Sequence, residues 1–220
     1  MAIVTVDFDG TLYQGNSFKV MFQAGKKTFG LKQWGVVFTG MLKSLWLGLI
    51  RGKNALRLQF FKAFAKTFKG KTTEELEDFF QELVHIGKEE VNRGLVQTIK
   101  EHQRNGDTII LLSGALHPFL EAFAKELQLD VHIISTELKL DSSGLCTGEV
   151  GQIINGDEKV RQVEKWLEKA ELNHTNEIWA YADSESDIPL LNYVEHPIVV
   201  NPNQDMKLIA KKNKWPIFAS

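Results

Sequence analysis

Two aspartates that follow a short apolar run near the start of the chain constrain its fold more than any other feature. The run, residues 3–6, has the pattern of a buried strand in a parallel sheet, and it ends in Asp-Phe-Asp-Gly-Thr, residues 7–11. Open α/β sheets bind ligands at the carboxyl ends of their strands. Because neighbouring carboxylates repel each other unless a cation lies between them, Asp7 and Asp9 predict a site for a hard cation such as Mg²⁺.

The 220-residue chain has room for one large core or for a core with an insert, and its charge is unevenly distributed. Residues 10–73 contain twelve Lys or Arg and no Asp or Glu, whereas residues 74–220 contain fourteen basic and twenty-six acidic residues. This pattern predicts a basic inserted unit that faces an anionic partner, with a solvated lysine-rich face as the alternative. Charge alone also permits nucleic-acid binding, but no recognition motif accompanies it, so none is expected.

Cysteine content and hydropathy bear on the compartment. The single cysteine, Cys146, excludes an intramolecular disulfide, and no signal-peptide pattern is visible at the start, so we predict a cytoplasmic protein. Residues 34–50 are strongly apolar, but Lys43 interrupts them and they run short of the roughly 20 residues of a membrane span. We therefore predict a buried helix, and contact of this segment with a membrane surface is the alternative.

Residues 15–105 have apolar side chains at helical spacing. Thr72 and Glu75 have the spacing of a capping box, which predicts the start of a helix. Before this helix, five apolar side chains fall on one helix face: Leu56, Phe60, Phe61, Phe64 and Phe68. The section is therefore predicted to be wholly helical.

The remainder of the chain alternates between strand and helix patterns. Strands are predicted at residues 108–112, 131–135, 178–182 and 198–200, a projecting hairpin at 138–150 and an amphipathic helix at 158–171. This alternation predicts an α/β fold with a mainly parallel sheet. Residues 1–14 and 106–220 form the predicted core domain, and residues 15–105 form an all-helical cap that is inserted after the first strand and hinges over the carboxyl edge of the sheet.

Polar residues follow several of these strands, and their joint order is specific. They are Asp7 and Asp9, then Ser113 with Gly114, then Lys159 in Gly-Asp-Glu-Lys, and then Asp183 and Asp187 in Asp-Ser-x-x-Asp. This order resembles the four motifs of the haloacid dehalogenase (HAD) superfamily. With a helical cap after the first motif, the chain is most similar to the phosphoserine-phosphatase-like subgroup (subfamily IB), which implies a Rossmann-like HAD core.

The resemblance implies a catalytic role for each motif residue. Asp7 would be the nucleophile that forms an aspartyl-phosphate, and Asp9 the general acid and base. The residues implied to bind phosphate are Thr11, Ser113, Gly114 and Lys159.

The resemblance also implies a Mg²⁺ site. The ligands would be the Asp7 carboxylate, the Asp9 backbone carbonyl and the Asp183 carboxylate. Asp187 would fix Lys159 or a water bound to the metal.

The implied function is a Mg²⁺-dependent phosphatase that hydrolyses a small-molecule phosphate monoester. Two alternatives remain: a phosphotransferase that uses the same intermediate, and a membrane-surface or lipid-phosphate binding protein with a basic cap. The absence of carboxylates between Asp9 and Glu74 disfavours phosphoserine, whose ammonium needs an acidic partner. It favours esters with further anionic groups or a hydrophobic tail, such as lysophospholipid-type headgroups and sugar phosphates. Arg51 and Lys53, in a predicted turn, are candidate substrate contacts, with a solvated turn as the alternative.

Overall fold

The computed structural model describes residues 1–51, 53–171 and 177–218, and it describes no side chains for residues 43–58. The strands are β1 (Ile3–Val6), β2 (Thr108–Leu116), β3 (His132–Thr136), β4 (Leu138–Leu140), β5 (Cys146–Val150), β6 (Ile178–Ala182), β7 (His196–Val200) and β8 (Ile217–Phe218). The helices are α1 (Ser17–Thr28), α2 (Leu31–Arg51), α3 (Lys53–Lys66), α4 (Thr73–Gly87), α5 (Arg93–Arg104), α6 (His117–Glu126), α7 (Asp157–Lys169), α8 (Ile188–Tyr193) and α9 (Gln204–Asn213).

Six of the described strands form one parallel sheet in the order β3-β2-β1-β6-β7-β8. The first strand, β1, lies at its centre between β2 and β6, and all four of its residues are buried. A strand buried on both faces requires the continuous apolar run that the sequence has. The predicted Rossmann-like α/β fold is confirmed, and the carboxyl ends of β1, β2 and β6 meet at one edge.

The second strand, β2, is longer than its sequence pattern predicts. It continues through Ser113 and Gly114 to Leu116, whereas the prediction ended it at Leu112. The prediction was wrong because the pairing with β3 changes register between Ser113 and Leu116 and then resumes. An irregularity of this kind lets a strand bend locally while it stays in the sheet.

Helices α1 to α5 lie between β1 and β2 in the chain, as predicted, and we call them the helical insertion. The capping box at the start of α4 is present: the Glu75 N–H donates to the Thr72 hydroxyl over 3.2 Å, and the Thr72 N–H donates to the Glu75 carboxylate over 3.0 Å. Four of the predicted apolar side chains are buried: Phe60, Phe61, Phe64 and Phe68. The fifth, Leu56, lies outside the described side chains.

The last helix of the insertion packs directly on the sheet. Leu95 and Ile99 of α5 are fully buried in the same cluster as Ile109 and Leu111 of β2. The helix therefore covers the sheet in the way a crossover helix does. The division into a core and a cap at residues 14/15 and 105/106 stays a prediction.

A predicted hairpin, β4 and β5, joins the core to the helical insertion. The Gly70 N–H donates to the Cys146 carbonyl over 2.7 Å, and the Cys146 N–H donates to the Lys71 carbonyl over 2.8 Å. Gly148 lies against α3, because a Cβ there would be 3.2 Å from the Cα of Lys66. These contacts attach the connection between α3 and α4 to the hairpin through the backbone.

The apolar segment at residues 34–50 belongs to α2, and no helix in the described part of the chain is long and apolar enough to cross a membrane. The predicted burial of this segment is wrong for its first turns. Val37 is buried against α3 and its neighbours, but Phe38 and Leu42 are 57% and 68% exposed. Over residues 31–42, whose side chains the structure describes, α2 thus buries one face and exposes another.

Candidate active site

Lys159 joins the ends of two strands through buried ion pairs. Its ammonium donates to Oδ1 of Asp7, directly after β1, over 2.7 Å and to Oδ1 of Asp187 over 2.5 Å. The three side chains are at most 8% exposed. Although burial opposes its charge, Asp187 and Asp7 hold the pKa of Lys159 above its usual range. Lys159 is therefore a fixed positive charge beside Asp7.

Asp187 is held from two sides. Besides the bond from Lys159 to one carboxylate oxygen, its Oδ2 accepts a hydrogen bond from the Ser184 hydroxyl over 2.8 Å. Ser184 follows β6 by two residues, so the Asp-Ser-x-x-Asp motif folds back on itself. This geometry favours the role of fixing Lys159, one of the two that the resemblance implies for Asp187.

Three carboxylates, Asp7, Asp183 and Asp187, form what we call the carboxylate cluster. One oxygen of each lies within 4.8 Å of the others, a spacing that can hold a metal ion. Burial, with the negative charges of its neighbours, raises the pKa of Asp7 to about 8 and that of Asp183 to about 6, although Lys159 opposes both shifts. Three carboxylates beside one ammonium leave surplus negative charge, which a cation would neutralise.

Gly10 and Thr11 position Asp183. Gly10 has a φ of +84°, and a Cβ on it would lie 2.2 Å from Oδ2 of Asp183, so only glycine fits there. The Thr11 hydroxyl donates to Oδ1 of Asp183 over 3.3 Å, and Thr11 is fully buried. The Thr11 hydroxyl thus contacts the carboxylate cluster. The predicted contact of Thr11 with phosphate stays a prediction.

The Asp9 carboxylate is bound by the first residue of α1. The Ser17 N–H donates to Oδ1 of Asp9 over 2.8 Å, and the Ser17 hydroxyl donates to Oδ2 over 2.5 Å. Sequence analysis missed Ser17. The available signal was a helix start, since Asn16 caps α1 by accepting from the Phe18 N–H, but a capping pattern does not reveal a carboxylate partner from the preceding loop.

Seven of the predicted site residues line one cavity. Its described lining includes Asp7, Asp9, Ser113, Gly114, Lys159, Asp183 and Asp187. Ser113 and Gly114 reach it from the irregular part of β2, where the Gly114 carbonyl accepts a hydrogen bond from the Thr136 hydroxyl over 2.9 Å.

The cavity also has lining residues that sequence analysis did not assign to it. Phe18 of α1 and Phe61 of α3 come from the helical insertion, and Ile153 and Asn155 precede α7. Phe61 was predicted only as part of an apolar helix face. The candidate contacts Arg51 and Lys53 lie outside the described side chains.

Comparison with known proteins defines the class. The family model of haloacid dehalogenase-like hydrolases matches residues 4–192. The chain belongs to this family, as its motifs predicted. A histidinol-phosphatase from Neisseria meningitidis is 32% identical over 154 residues, which are 66% of this chain and 67% of that protein.

A second relative and two solved structures extend the comparison. A phosphoserine phosphatase from Lactococcus lactis is 28% identical over 123 residues, 56% of this chain and about half (53%) of that protein. A Bordetella pertussis protein of unknown function superposes with a TM-score of 0.82 at 21% identity, over 99% of this chain and 98% of the other. A phosphoserine phosphatase described as a phospho-aspartyl intermediate analogue superposes with a TM-score of 0.59 at 19% identity, over 98% and 91%.

These structural similarities show a shared fold. The family and its named phosphatases confirm the predicted enzyme class, a phosphoric monoester hydrolase.

Proposed function

We propose that the protein is a Mg²⁺-dependent phosphatase that hydrolyses a small-molecule phosphate monoester through an aspartyl-phosphate on Asp7. One observation carries the proposal: Asp7 lies 2.7 Å from a buried ammonium, next to Asp183, in a cavity that Asp9 also lines. A nucleophile, a charged group for the phosphoryl oxygens and an acid for the leaving group thus share one space.

In the first step, a carboxylate oxygen of Asp7 attacks phosphorus in line with the ester oxygen. The new bond joins that oxygen to phosphorus, and the bond from phosphorus to the ester oxygen breaks. Its electron pair stays on the leaving oxygen, which takes a proton from Asp9. The products of this step are an alcohol and an acyl phosphate on Asp7.

In the second step, a water molecule attacks the same phosphorus. Asp9, now ionised, accepts a proton from the water, and the bond between phosphorus and Asp7 breaks. Inorganic phosphate leaves and both carboxyl groups return to their starting states. The Ser17 hydrogen bonds keep the Asp9 carboxylate in one orientation through both steps.

Lys159, Ser113 and Gly114 are the proposed phosphate-binding groups. Lys159 supplies a positive charge that Asp187 holds in place, so no reorientation is needed when charge builds up on the phosphoryl oxygens. Ser113 and Gly114 line the same cavity from β2. Removing one preorganised donor of this kind typically slows the reaction by about 10² to 10³-fold.

The donor set of the carboxylate cluster fits Mg²⁺. Its oxygens are hard ligands with surplus negative charge, and we assign the ion to the carboxylates of Asp7 and Asp183 with the Asp9 carbonyl. Bound there, Mg²⁺ would neutralise negative charge on the phosphoryl group. Asp187 already accepts bonds from Lys159 and Ser184, which favours a supporting role.

The test is phosphate release by Asp7→Asn with Mg²⁺ over a panel of phosphate esters. We expect release to fall by at least about 10³-fold, because the variant has no nucleophile. Asp205→Asn, the same change at an exposed site on α9, is the matched control and keeps its activity. Borohydride reduction during turnover converts an aspartyl-phosphate to homoserine, which mass spectrometry locates at position 7. Equal phosphate release by the wild type and Asp7→Asn would rule out Asp7 as the nucleophile.

Hydrolysis and phosphoryl transfer are separated by the acceptor. Transfer from Asp7 to an alcohol would raise the rate at which the ester is consumed and would produce a new ester when candidate alcohols are added. A phosphatase instead converts all consumed ester to inorganic phosphate.

A second candidate function, contact with an anionic membrane surface, is favoured by α2. Leu31, Phe38 and Leu42 are 93%, 57% and 68% exposed, and their spacing places them on one face of a helix that lies within residues 10–73, the basic stretch of the sequence. Sedimentation with vesicles of phosphatidylglycerol and phosphatidylcholine tests this, with Phe38→Ser as the variant expected to bind less. Equal sedimentation of both proteins, or none, excludes the candidate.

A further inference from the structure

The side of the cavity that the helical insertion forms is aromatic. Phe18 and Phe61, which we call the aromatic wall, have ring centroids 4.6 Å apart with planes inclined by 37°. A third ring, Phe60, packs on Phe18 with centroids 4.6 Å apart and lies outside the described cavity lining. The wall is thus a packed surface that a bound molecule would meet with its apolar face.

The charged groups among the described lining residues already have tasks in the proposed reaction. They are Asp7, Asp9, Lys159, Asp183 and Asp187. Lys159 is paired with Asp7 and Asp187, and Asp9 is bound by Ser17. Within the described lining, the polar groups left for the organic part of a substrate are neutral, as in Asn155 and Ser186.

The aromatic wall lines the same cavity as Asp9, the residue proposed to protonate the leaving oxygen. A group attached to that oxygen would therefore share this cavity with the Phe18 and Phe61 rings. An anionic group placed against such a surface loses hydration without gaining a partner, and an ammonium gains only the attraction of a ring face, whereas apolar groups gain from leaving water.

We propose that Phe18 and Phe61 determine specificity by selecting phosphate monoesters whose ester oxygen carries an uncharged, apolar group. This inference rests on the proposed phosphatase function. Of the substrate features expected from the sequence, it favours a hydrophobic group over additional anionic groups. It also disfavours an ammonium, for which no described cavity residue outside the catalytic set supplies a negative partner.

Three alkyl phosphates of matched length test the proposal. Butyl phosphate, 4-aminobutyl phosphate and 4-(phosphonooxy)butanoate have similar leaving groups and differ mainly in terminal charge. With Mg²⁺ at pH 7.5, we expect kcat/KM for butyl phosphate to exceed both charged esters by at least about tenfold. A charged ester that is hydrolysed as well as butyl phosphate, or better, overturns the proposal.

Variants of the wall identify the residues responsible. Phe18→Ala should lower kcat/KM for butyl phosphate about tenfold, mainly through KM, while values for the charged esters change less than about threefold. Phe18→Leu, which keeps an apolar side chain, should restore most of the loss and also shows that the position tolerates substitution. A uniform loss over all three esters in both variants contradicts a role in specificity.

Phe22→Ala is the matched control. Phe22 lies one turn further along α1, and its ring packs on Trp34 with centroids 4.8 Å apart, outside the described cavity lining. We expect it to leave the preference among the three esters unchanged. If Phe22→Ala changed the preference among the three esters as much as Phe18→Ala does, the cause would be packing of the insertion, and the proposal would be overturned.

The two proposals fail in different ways. If the wild type releases phosphate from all three esters equally and homoserine still forms at position 7, the specificity proposal is wrong and the phosphatase stands. If neither the esters nor a wider panel yields phosphate above the Asp7→Asn level, both are wrong.

Discussion

The carboxyl edge of the sheet and the aromatic wall line one cavity, and they are built from different kinds of contact. At the edge, the carboxylates of Asp7 and Asp187 are fixed on Lys159 by buried bonds of 2.7 and 2.5 Å. At the wall, Phe18 and Phe61 are held by ring packing at 4.6 Å. Under the two proposals, directional charged bonds would set where phosphorus reacts, while a non-directional apolar surface would set which ester is preferred.

The two surfaces should therefore respond differently to substitution. Changes at the edge should reduce turnover for every ester, since all esters share the phosphoryl group. Changes at the wall should redistribute preference among esters, as described above. Three variants and one change of conditions at the edge test this contrast. The variants come first, in order of decreasing effect on turnover.

The largest effect is expected from Lys159→Met. Removing one partner of a buried ion-pair network leaves Asp7 and Asp187 without compensation, which costs about 3–5 kcal/mol in the free energy of unfolding. Loss of the positive charge should also slow phosphate release at least about 10²-fold for all esters. Urea denaturation and turnover assays measure the two effects.

Lys165→Met is the matched control for Lys159→Met. Lys165 is on the same helix, α7, but it is exposed, so its free energy of unfolding should change by less than about 0.5 kcal/mol. Stability of Lys159→Met equal to that of Lys165→Met would contradict the assigned network.

Gly10→Ala should displace Asp183. A Cβ 2.2 Å from Oδ2 of Asp183 forces that carboxylate to move, and the apparent Mg²⁺ affinity should fall about 10 to 100-fold. Gly106→Ala is the control that introduces backbone strain without displacing a side chain. Gly106 has a similar φ of +80°, but no atom lies within 4 Å of the added Cβ. It should cost about 1–2 kcal/mol in stability and leave the Mg²⁺ dependence of turnover unchanged. Equal Mg²⁺ dependence in both variants would refute the placement of Asp183.

Ser17→Ala removes one of the two described bonds that orient Asp9. A hydrogen bond to a charged group contributes about 1.5–3 kcal/mol, so kcat should fall roughly 10 to 100-fold across all esters. Asn16→Ala is the comparison: it loses the cap of α1 and about 1 kcal/mol of stability, yet keeps the Asp9 contacts and hence kcat. If Asn16→Ala lowered kcat as much, the effect would belong to the helix start and not to Asp9.

The last expected effect is on stability and not on turnover: the free energy of unfolding should depend on pH. Burial raises the pKa of Asp7 from 3.8 to about 8, so between these values the folded protein holds a proton that the unfolded chain has lost. The free energy of unfolding without Mg²⁺ should thus fall as pH rises from about 4 to about 8. Mg²⁺ replaces that proton, so saturating Mg²⁺ should flatten the decline.

Urea denaturation at several pH values, with EDTA or with Mg²⁺, measures this dependence. Asp7→Asn, which cannot ionise, should show a shallower decline in EDTA than the wild type. A stability that rises over this pH range in metal-free wild type would show that Asp7 is already ionised in the folded protein.

The sequence predicted the edge better than the wall for a physical reason. Asp7, Asp9 and Asp183 directly follow apolar strands, and parallel strands that share a sheet bring their carboxyl ends together, so strand order along the chain was enough. The capping box at Thr72 and Glu75 was equally local. Each of these features depends on a few neighbouring residues.

The misses all depended on distant contacts. The true end of β2 at Leu116 depends on a change of register against β3, and the exposure of Phe38 depends on which face of α2 finds a partner. Ser17 was missed because its bond to Asp9 exists only when the chain turns back over the loop. Helical spacing placed Phe61 on an apolar face without showing that this face borders a cavity.

The sequence by itself thus determined the family, the parallel sheet and the convergence of acidic residues with Lys159, since these follow from motifs and from strand ends. Only the tertiary structure decided which groups come together: Thr11 touches Asp183, Ser17 touches Asp9, and two phenylalanines line the cavity that holds Asp7. The spacing of apolar residues in the sequence specifies which side of a helix is apolar. What that side faces depends on how α1 and α3 pack near the edge of the sheet.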